Sequence, residues 1–161
     1  MRKYFLWIQR WGWFLPLMAS TLSGMTIRDV LVEYRESSSF IRISEYLTGR
    51  PAEPSIPTLR SSPDTLEGLY YLVVLDEPLN RLPQTVVVEL SVLTDGDPEP
   101  VRHEFSLSGG TSRKERFLVG LTGEAWPSDP DAPYPTAWRI RLLETGGKVL
   151  AEKRSFLWGT R

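Results

Sequence analysis

Residues 84–93 read QTVVVELSVL, and this stretch decides the fold. Glu89 and Ser91 fall on one parity of the run, and the alternate positions around them are apolar. Those apolar positions are Val86, Val88, Leu90 and Val92. Alternation of this kind in a segment rich in β-branched residues is typical of a strand that buries one face. We therefore predict a β-strand here, and we expect other segments to cover its apolar face.

Further strand patterns follow along the chain. Residues 66–76, LEGLYYLVVLD, form the most hydrophobic stretch of the body and predict a central strand. The remaining candidates alternate apolar with polar residues and are 101–107, 116–123, 136–144 and 149–158. Gly146 and Gly147 can adopt positive φ, so they predict a tight turn between the last two strands.

The segments upstream of this block give less regular patterns. Residues 27–35 give a mixed signal, whereas Phe40, Ile41 and Ile43 suit a first or edge strand. Residues 48–63 contain four prolines and show no periodicity. Because proline cannot donate to a strand ladder, we predict an irregular connection there, lying over the surface or along a sheet edge.

These segments amount to seven or eight strands at intervals of about ten to twenty residues, without a helix in the body or an internal repeat. Such spacing predicts an all-β fold, an antiparallel β-sandwich. The pattern resembles the immunoglobulin or fibronectin type III-like architecture, although the chain lacks the cysteine pair of antibody domains. We predict one such domain over residues 25–161. This architecture hosts many unrelated functions, so the resemblance implies no activity.

Residues 1–24, MRKYFLWIQRWGWFLPLMASTLSG, have the pattern of a secretory signal peptide, with basic residues first, apolar residues next and small residues last. The apolar run 11–19 has about nine residues, enough for a signal-peptide core but too few for a membrane span. Arg10 interrupts the hydrophobic region. Two alternatives therefore stay open, an uncleaved amphipathic or membrane-dipping anchor and a cytosolic helix packed on the domain.

The charge and cysteine content exclude several function classes. Three of the 19 basic side chains lie in residues 1–24, which contain no acid, so the body carries 16 basic against 20 acidic side chains. A mildly acidic body without a basic stripe argues against nucleic acid as a partner. The absence of cysteine excludes disulfides, thiolate metal sites, a cysteine nucleophile and a lipidated cysteine. Abundant arginine with a single asparagine indicates a GC-rich, bacterial source.

His103 is the only histidine, so any triad or histidine-based general base must use it. It falls on the apolar parity of its strand between Val101 and Phe105, where a structural, hydrogen-bonded histidine is the expected outcome. The sequence has no Gly-x-Ser-x-Gly, no His-Glu-x-x-His and no glycine-rich phosphate loop. We therefore predict no catalytic residues, no enzymatic activity and no cofactor.

Carboxylates cluster in two loops. The candidate calcium ligands alternate across a glycine-containing turn and are Asp95, Asp97 and Glu99. Asp129 and Asp131 repeat the pattern later, but neither segment completes an EF-hand loop. Aspartate also favours turns without a metal. A pair such as Glu124 and Asp129 would be the acid–base pair of a small hydrolase, although carboxylates are too common for their spacing to be diagnostic.

The proline-rich loop 124–135 carries the candidate ligand-binding or partner-binding residues, Trp126 and Tyr134. Long loops on a rigid scaffold often carry function. Exposed flat aromatics stack on sugar rings, which makes carbohydrate the alternative ligand. Packing of both rings against the domain is the competing interpretation.

The leading hypothesis is an exported, non-catalytic β-sandwich module with a structural or protein-interaction role in the bacterial envelope, in the periplasm or outside the cell. Its expected partner is a protein that contacts sheet edges and loops, chiefly 48–63 and 124–135. Contact with a membrane would come only through an uncleaved N-terminal segment. The alternatives are a carbohydrate-binding module that uses the loop aromatics and a small hydrolase that uses the loop carboxylates.

Overall fold

Eight β-strands form the framework of the part of the chain that the computed structural model describes, which is residues 24–40, 56–95, 99–110, 112–127 and 129–159. The strands are β1 Ile27–Arg35, β2 Thr58–Arg60, β3 Gly68–Leu75, β4 Thr85–Leu93, β5 Val101–Ser108, β6 Arg116–Thr122, β7 Ala137–Glu144 and β8 Val149–Arg154. Three short 3-10 helices occupy Ser37–Phe40, Leu79–Arg81 and Gly123–Ala125. Among these residues no helix has the length and apolar character needed to cross a bilayer.

The strands form two four-stranded sheets. One has the order β1-β3-β6-β2 and the other the order β5-β4-β7-β8. All pairs are antiparallel except β2 with β6. Because β4 and β5 form a hairpin in one sheet and β6 returns to the other, the chain crosses between sheets as it does in immunoglobulin-like sandwiches. The prediction of an all-β, immunoglobulin-like sandwich is therefore confirmed.

Strand β4 lies inside its sheet, between β5 and β7. The predicted parity is confirmed, because its four alternating apolar side chains are at most 4% exposed and face the opposite sheet. They pack with the inward-facing residues of β3 and β6, which are Leu69, Tyr71, Val73, Leu75, Phe117, Val119 and Leu121. Burial of these side chains is the main source of stability for the sandwich.

Strand β3 is buried on both faces, which explains its continuous hydrophobic sequence. Tyr71 points into the core, while Tyr70 on the outer face is also fully buried. The Tyr70 ring lies over Gly120 of β6, where an added Cβ would be 2.4 Å from Cε1. Its hydroxyl donates a hydrogen bond of 2.6 Å to the Leu66 carbonyl, and Phe40 packs on it at 5.1 Å between ring centroids. Gly120 therefore makes room for the tyrosine.

Three of the predicted segments differ from the structure. Phe40 ends a 3-10 helix rather than belonging to an edge strand, since its ring turns back onto Tyr70; Ile41 and Ile43 lie outside the described residues. The last strand ends at Arg154, because residues 155–158 form a turn in which the Trp158 amide donates to the Ser155 carbonyl.

The proline-rich connection 48–63 was predicted to be irregular and to lie over the surface or along a sheet edge. It does lie along a sheet edge, but it contains a short strand, β2, which pairs in parallel with β6. Only three residues pair, and Pro57 immediately precedes them. Residues 48–55 lie outside the described residues, as do residues 1–23 of the predicted N-terminal leader.

The contact between Gly120 and Tyr70 predicts that Gly120→Ala loses about 2–3 kcal/mol of unfolding free energy, because the buried ring has no space into which it can move. Urea denaturation of both proteins measures the loss. Gly146→Ala is the control, since its Cβ would meet no atom within 4 Å, and we expect a change within about 0.5 kcal/mol. Equal effects of the two substitutions would contradict the packing described for Tyr70.

Candidate interaction surfaces

The outer face of the β5-β4-β7-β8 sheet carries a buried carboxylate. Glu89 lies in the middle of β4 on the polar parity, yet it is only 2% exposed. Arg141 of β7, directly opposite Glu89 in the ladder, donates to both of its oxygens, from Nε to Oε1 and from Nη2 to Oε2, each at 2.8 Å. This bidentate geometry is the strongest form of an arginine–carboxylate pair.

Two more arginines converge on the same carboxylate. Nε of Arg102 lies 3.4 Å from Oε2 of Glu89, and Nη2 of Arg139 lies 3.6 Å from Oε1. Arg139 also stacks on Trp158, with its guanidinium carbon 4.9 Å from the ring centroid. Guanidinium groups from the strands on both sides therefore surround Glu89 and compensate its loss of water.

The cross-strand register arranges the charges of this face in two adjacent rows. One row runs across β5, β4, β7 and β8 and contains Glu104, Glu89, Arg141 and Glu152. The next contains Arg102, Ser91, Arg139 and Arg154. The first row has three acids and one arginine and the second has three arginines and one serine, so opposite charges lie on the diagonals between the rows. This pattern stabilises one register of the sheet.

Removing the buried charge tests this cluster. We expect Glu89→Gln to lower the unfolding free energy by about 2–3 kcal/mol, because three arginines lose their common counter-charge in a mostly dehydrated position. Chemical denaturation measures the change. Glu104→Gln, on the exposed end of the same row, serves as the control and should change stability by less than about 0.5 kcal/mol. A loss at Glu89 no larger than the control's would refute this account of the cluster.

The free edge of β1 is blocked by side chains. The Val30 amide donates to Oδ1 of Asp29 at 2.9 Å, and the Tyr34 amide donates to the Tyr134 hydroxyl at 2.9 Å. Nζ of Lys153 donates to the Arg28 carbonyl. A bulge between Ile27 and Asp29 further disrupts the edge. Bulges and lysines of this kind prevent a second strand from pairing.

The free edge of β5, unlike that of β1, is regular. The strand pairs with β4 over eight residues without a bulge, and it contains no proline. Its outward-facing residues are exposed and are Arg102, Glu104, Ser106 and Ser108. Among the described residues, none forms a hydrogen bond with the free edge of this strand. Within the described part of the chain, the strand therefore has a regular row of backbone donors and acceptors that no other strand pairs with.

The other two edges are less suited to pairing. Strand β2 has three residues, too few for an extended ladder. Strand β8 has an irregularity where it pairs with Leu142 and Leu143, and its Lys153 reaches across to β1. In the described part of the chain, β5 is thus the longest regular open edge.

The two candidate binding aromatics lie in different environments. Trp126 is 6% exposed and belongs to the core cluster, whereas Tyr134 is 49% exposed and its hydroxyl caps β1. The pair therefore does not form the exposed stacking platform that sugar binding through both rings would require. Contact of Tyr134 with a partner stays a prediction.

The candidate carboxylates also have local partners. Asp95 accepts a hydrogen bond of 2.5 Å from the Thr136 hydroxyl, and Asp129 accepts one of 2.9 Å from the Asp131 amide. Asp97 lies outside the described residues, and Glu99 stands at the edge of the same turn. Within the described ranges, no three His, Asp or Glu side chains come together in an arrangement that could hold a metal ion.

His103 lies on the inward parity of β5, as predicted, opposite Leu90 of β4. It is half-buried, and no described side chain forms a hydrogen bond with its ring. Burial lowers the pKa of His103 below its ordinary value of 6.5, because the charged form loses hydration. The predicted hydrogen bond is thus not seen among the described residues.

The depressed pKa predicts a pH effect on stability. The unfolded chain takes up a proton at His103 near pH 6.5, whereas the folded chain does so only at lower pH. Unfolding is therefore favoured as pH falls through 6.5, and the effect levels off below the folded pKa. When the pH is lowered from 7.5 to 5.5, we expect the unfolding free energy of His103→Gln, measured by urea titration, to fall less than that of the wild type. Parallel curves for the two proteins would contradict this assignment.

Sequence reasoning missed both the Glu89 cluster and the β5 edge. The alternation that places Glu89, Arg139 and Arg141 on the polar faces of their strands can be seen in the sequence. The order of the strands in the sheet cannot. Without strand order, neither the convergence of charges nor the open edge could be found. Recognition was expected at sheet edges and loops, chiefly 48–63 and 124–135, without a prediction of which strand forms the edge.

A groove of about 430 Å³ lies where the described chain begins. Its apolar part includes Met25, Leu82 and Leu150, and its charged rim includes Glu77 and Arg81. The rim is mixed in charge, so it favours neither an anion nor a cation.

Comparison with known proteins leaves the function open. No family model matches the sequence, and no curated protein matches it. Among solved structures, the chain is similar to an immunoglobulin-like protein from Pseudomonas aeruginosa, with 16% identity and a TM-score of 0.28, over 83% of this chain and 96% of that one. The fold assignment therefore rests on the strand order of the chain itself.

Proposed function

We propose that this chain is a non-catalytic immunoglobulin-like module of the bacterial envelope that binds a protein partner through the edge of β5. The observation that carries the proposal is the contrast between the two kinds of edge. Side chains block β1, whereas no hydrogen bond from the described residues reaches the outward backbone groups of the eight-residue strand β5. Edge strands left open in this way are templates for an added strand.

Strand addition supplies both affinity and selectivity. The main-chain hydrogen bonds of the added strand provide affinity without depending on its sequence. The outward side chains of β5 provide selectivity, since Arg102 and Glu104 present opposite charges two residues apart. The charged outer face limits which strands can pair, which protects the edge from unspecific association.

The positions of the reactive groups support a module without catalysis. His103 has no described hydrogen-bond partner that could orient it as a base. Asp95 accepts a hydrogen bond from the Thr136 hydroxyl, and Asp129 accepts one from the Asp131 amide in its own turn. Catalysis by a triad or a carboxylate pair needs such groups to converge on one substrate atom.

Export to the envelope is proposed from the pattern of residues 1–24. Expression of the full-length gene in a bacterial host, cell fractionation and intact-mass measurement test it. We expect a soluble periplasmic species that begins near Gly24 or Met25. A full-length species in the membrane fraction would make residues 1–24 an anchor. A full-length cytosolic species would contradict export.

A proline in β5 tests the binding edge. The Gly109 amide bonds to Gln84 beside β4, so by alternation the Ser106 amide faces away from β4. Ser106→Pro therefore removes one outward donor without breaking the β4–β5 ladder. With the wild-type chain as bait in chemically cross-linked envelope extracts, we expect specific partners that Ser106→Pro loses. Ser106→Thr keeps the amide and is the matched control. Retention of the same partners by a folded Ser106→Pro variant would refute the proposal.

A further inference from the structure

We propose that the strand that pairs with β5 is the β5 strand of a second copy of this chain. In this dimer the two strands run antiparallel about a two-fold axis that passes beside His103, and the two four-stranded sheets become one sheet of eight strands. The inference rests on the proposed function, because it uses the same open edge and names its occupant.

The backbone geometry sets which residues can pair across the axis. The Gly109 amide donates to the Gln84 carbonyl at 3.0 Å, one position beyond the pair of Ser108 with Thr85. Since N–H and C=O groups alternate in direction along a strand, odd-numbered residues of β5 face β4 and even-numbered residues face outward. Symmetric pairing therefore requires even-numbered residues to oppose even-numbered residues.

The side chains select one register among those that the backbone allows. With the axis at His103, Arg102 lies opposite Glu104 of the second copy, and Glu104 lies opposite its Arg102. The two pairs join opposite charges, lie on the same face and are related to each other by the two-fold axis. On the inner face, Val101, which is 47% exposed in the single chain, lies opposite Phe105 of the second copy.

Neighbouring registers lack this complementarity. With the axis at Glu104, two glutamates oppose each other directly. With the axis at Phe105, Glu104 opposes Ser106 and Arg102 opposes Ser108, so neither charge meets its opposite. Like charges directly opposite each other disfavour the register centred on Glu104. In the register centred on Phe105 the charges gain no opposite partner, so they do not stabilise it. The register centred on His103 is therefore favoured.

The contact is small, so the dimer should be reversible. The even-numbered residues of both strands would form about six backbone hydrogen bonds, because Pro100 lacks a donor. Interfaces limited to one pair of strands lie at the low end of the size range for specific association. We expect a dissociation constant on the order of 10–100 μM.

Single cysteines report the register directly, since the chain has no native cysteine. Across the axis the two copies of residue 103 are about 4.5 Å apart at Cα, within disulfide range. The two copies of Val101 are roughly 13 Å apart. In the chain purified from the fraction where it accumulates, we expect His103→Cys to form a disulfide dimer with oxidised glutathione and Val101→Cys to stay monomeric.

Charge exchange tests the same register without a covalent bond. By sedimentation equilibrium, Glu104→Arg should weaken the dimer about tenfold or more, because each Arg102 then opposes an arginine of the second copy, whereas Glu104→Gln should weaken it by less. Glu104→Arg leaves the contact of Arg102 with Glu89 in place, so it separates dimerisation from folding. Circular dichroism verifies that each variant is folded.

The results separate this inference from the proposed function. A wild-type chain that stays monomeric at about 1 mM overturns the dimer, as does equal cross-linking of the two cysteine variants. If Ser106→Pro still loses envelope partners in that case, the edge binds a different protein and the proposed function stands. If Ser106→Pro loses none, both fail.

Discussion

The buried carboxylate of Glu89 needs nearby positive charges, and this requirement fixes how β5 and β7 align on β4. Glu89 is nearly inaccessible to water in the middle of β4, and its partners come from both neighbouring strands. A slip of β4 by one residue would turn Glu89 into the apolar core and separate it from Arg141. The register of β5 and β7 on β4 is therefore set by electrostatics on the outer face as well as by packing on the inner one.

The alignment of β5 on β4 is regular up to the edge of the sheet. Arg102 forms an ion pair with Glu89, and its strand pairs with β4 over eight residues without a register shift. Strand β1, in contrast, bulges and has its outward groups capped by Asp29, Tyr134 and Lys153. Side chains thus cap one edge of the sandwich, whereas β5 is the longest regular edge among the described residues, and we propose recognition there.

The sequence could predict the parts of this structure that depend on alternation along one strand. The inward residues of β4, the position of His103 and the sandwich class all follow from period-two patterns. The parts that depend on which strands are neighbours could not be predicted, such as the partners of Glu89 or the capping of Tyr34 by Tyr134. Phe40 was assigned to a strand because an apolar run looks alike in a strand and in a turn that packs on a ring.

Amide hydrogen exchange in dilute solution tests most directly whether β5 is the open edge. The account predicts that the amides of Arg102, Glu104 and Ser106 exchange rapidly, while those of His103 and Phe105, which face β4, exchange slowly. The Tyr34 amide on the capped edge should also be protected. If the Glu104 amide of the monomer were as protected as that of Phe105, another part of the chain would cover β5, and the account would be wrong.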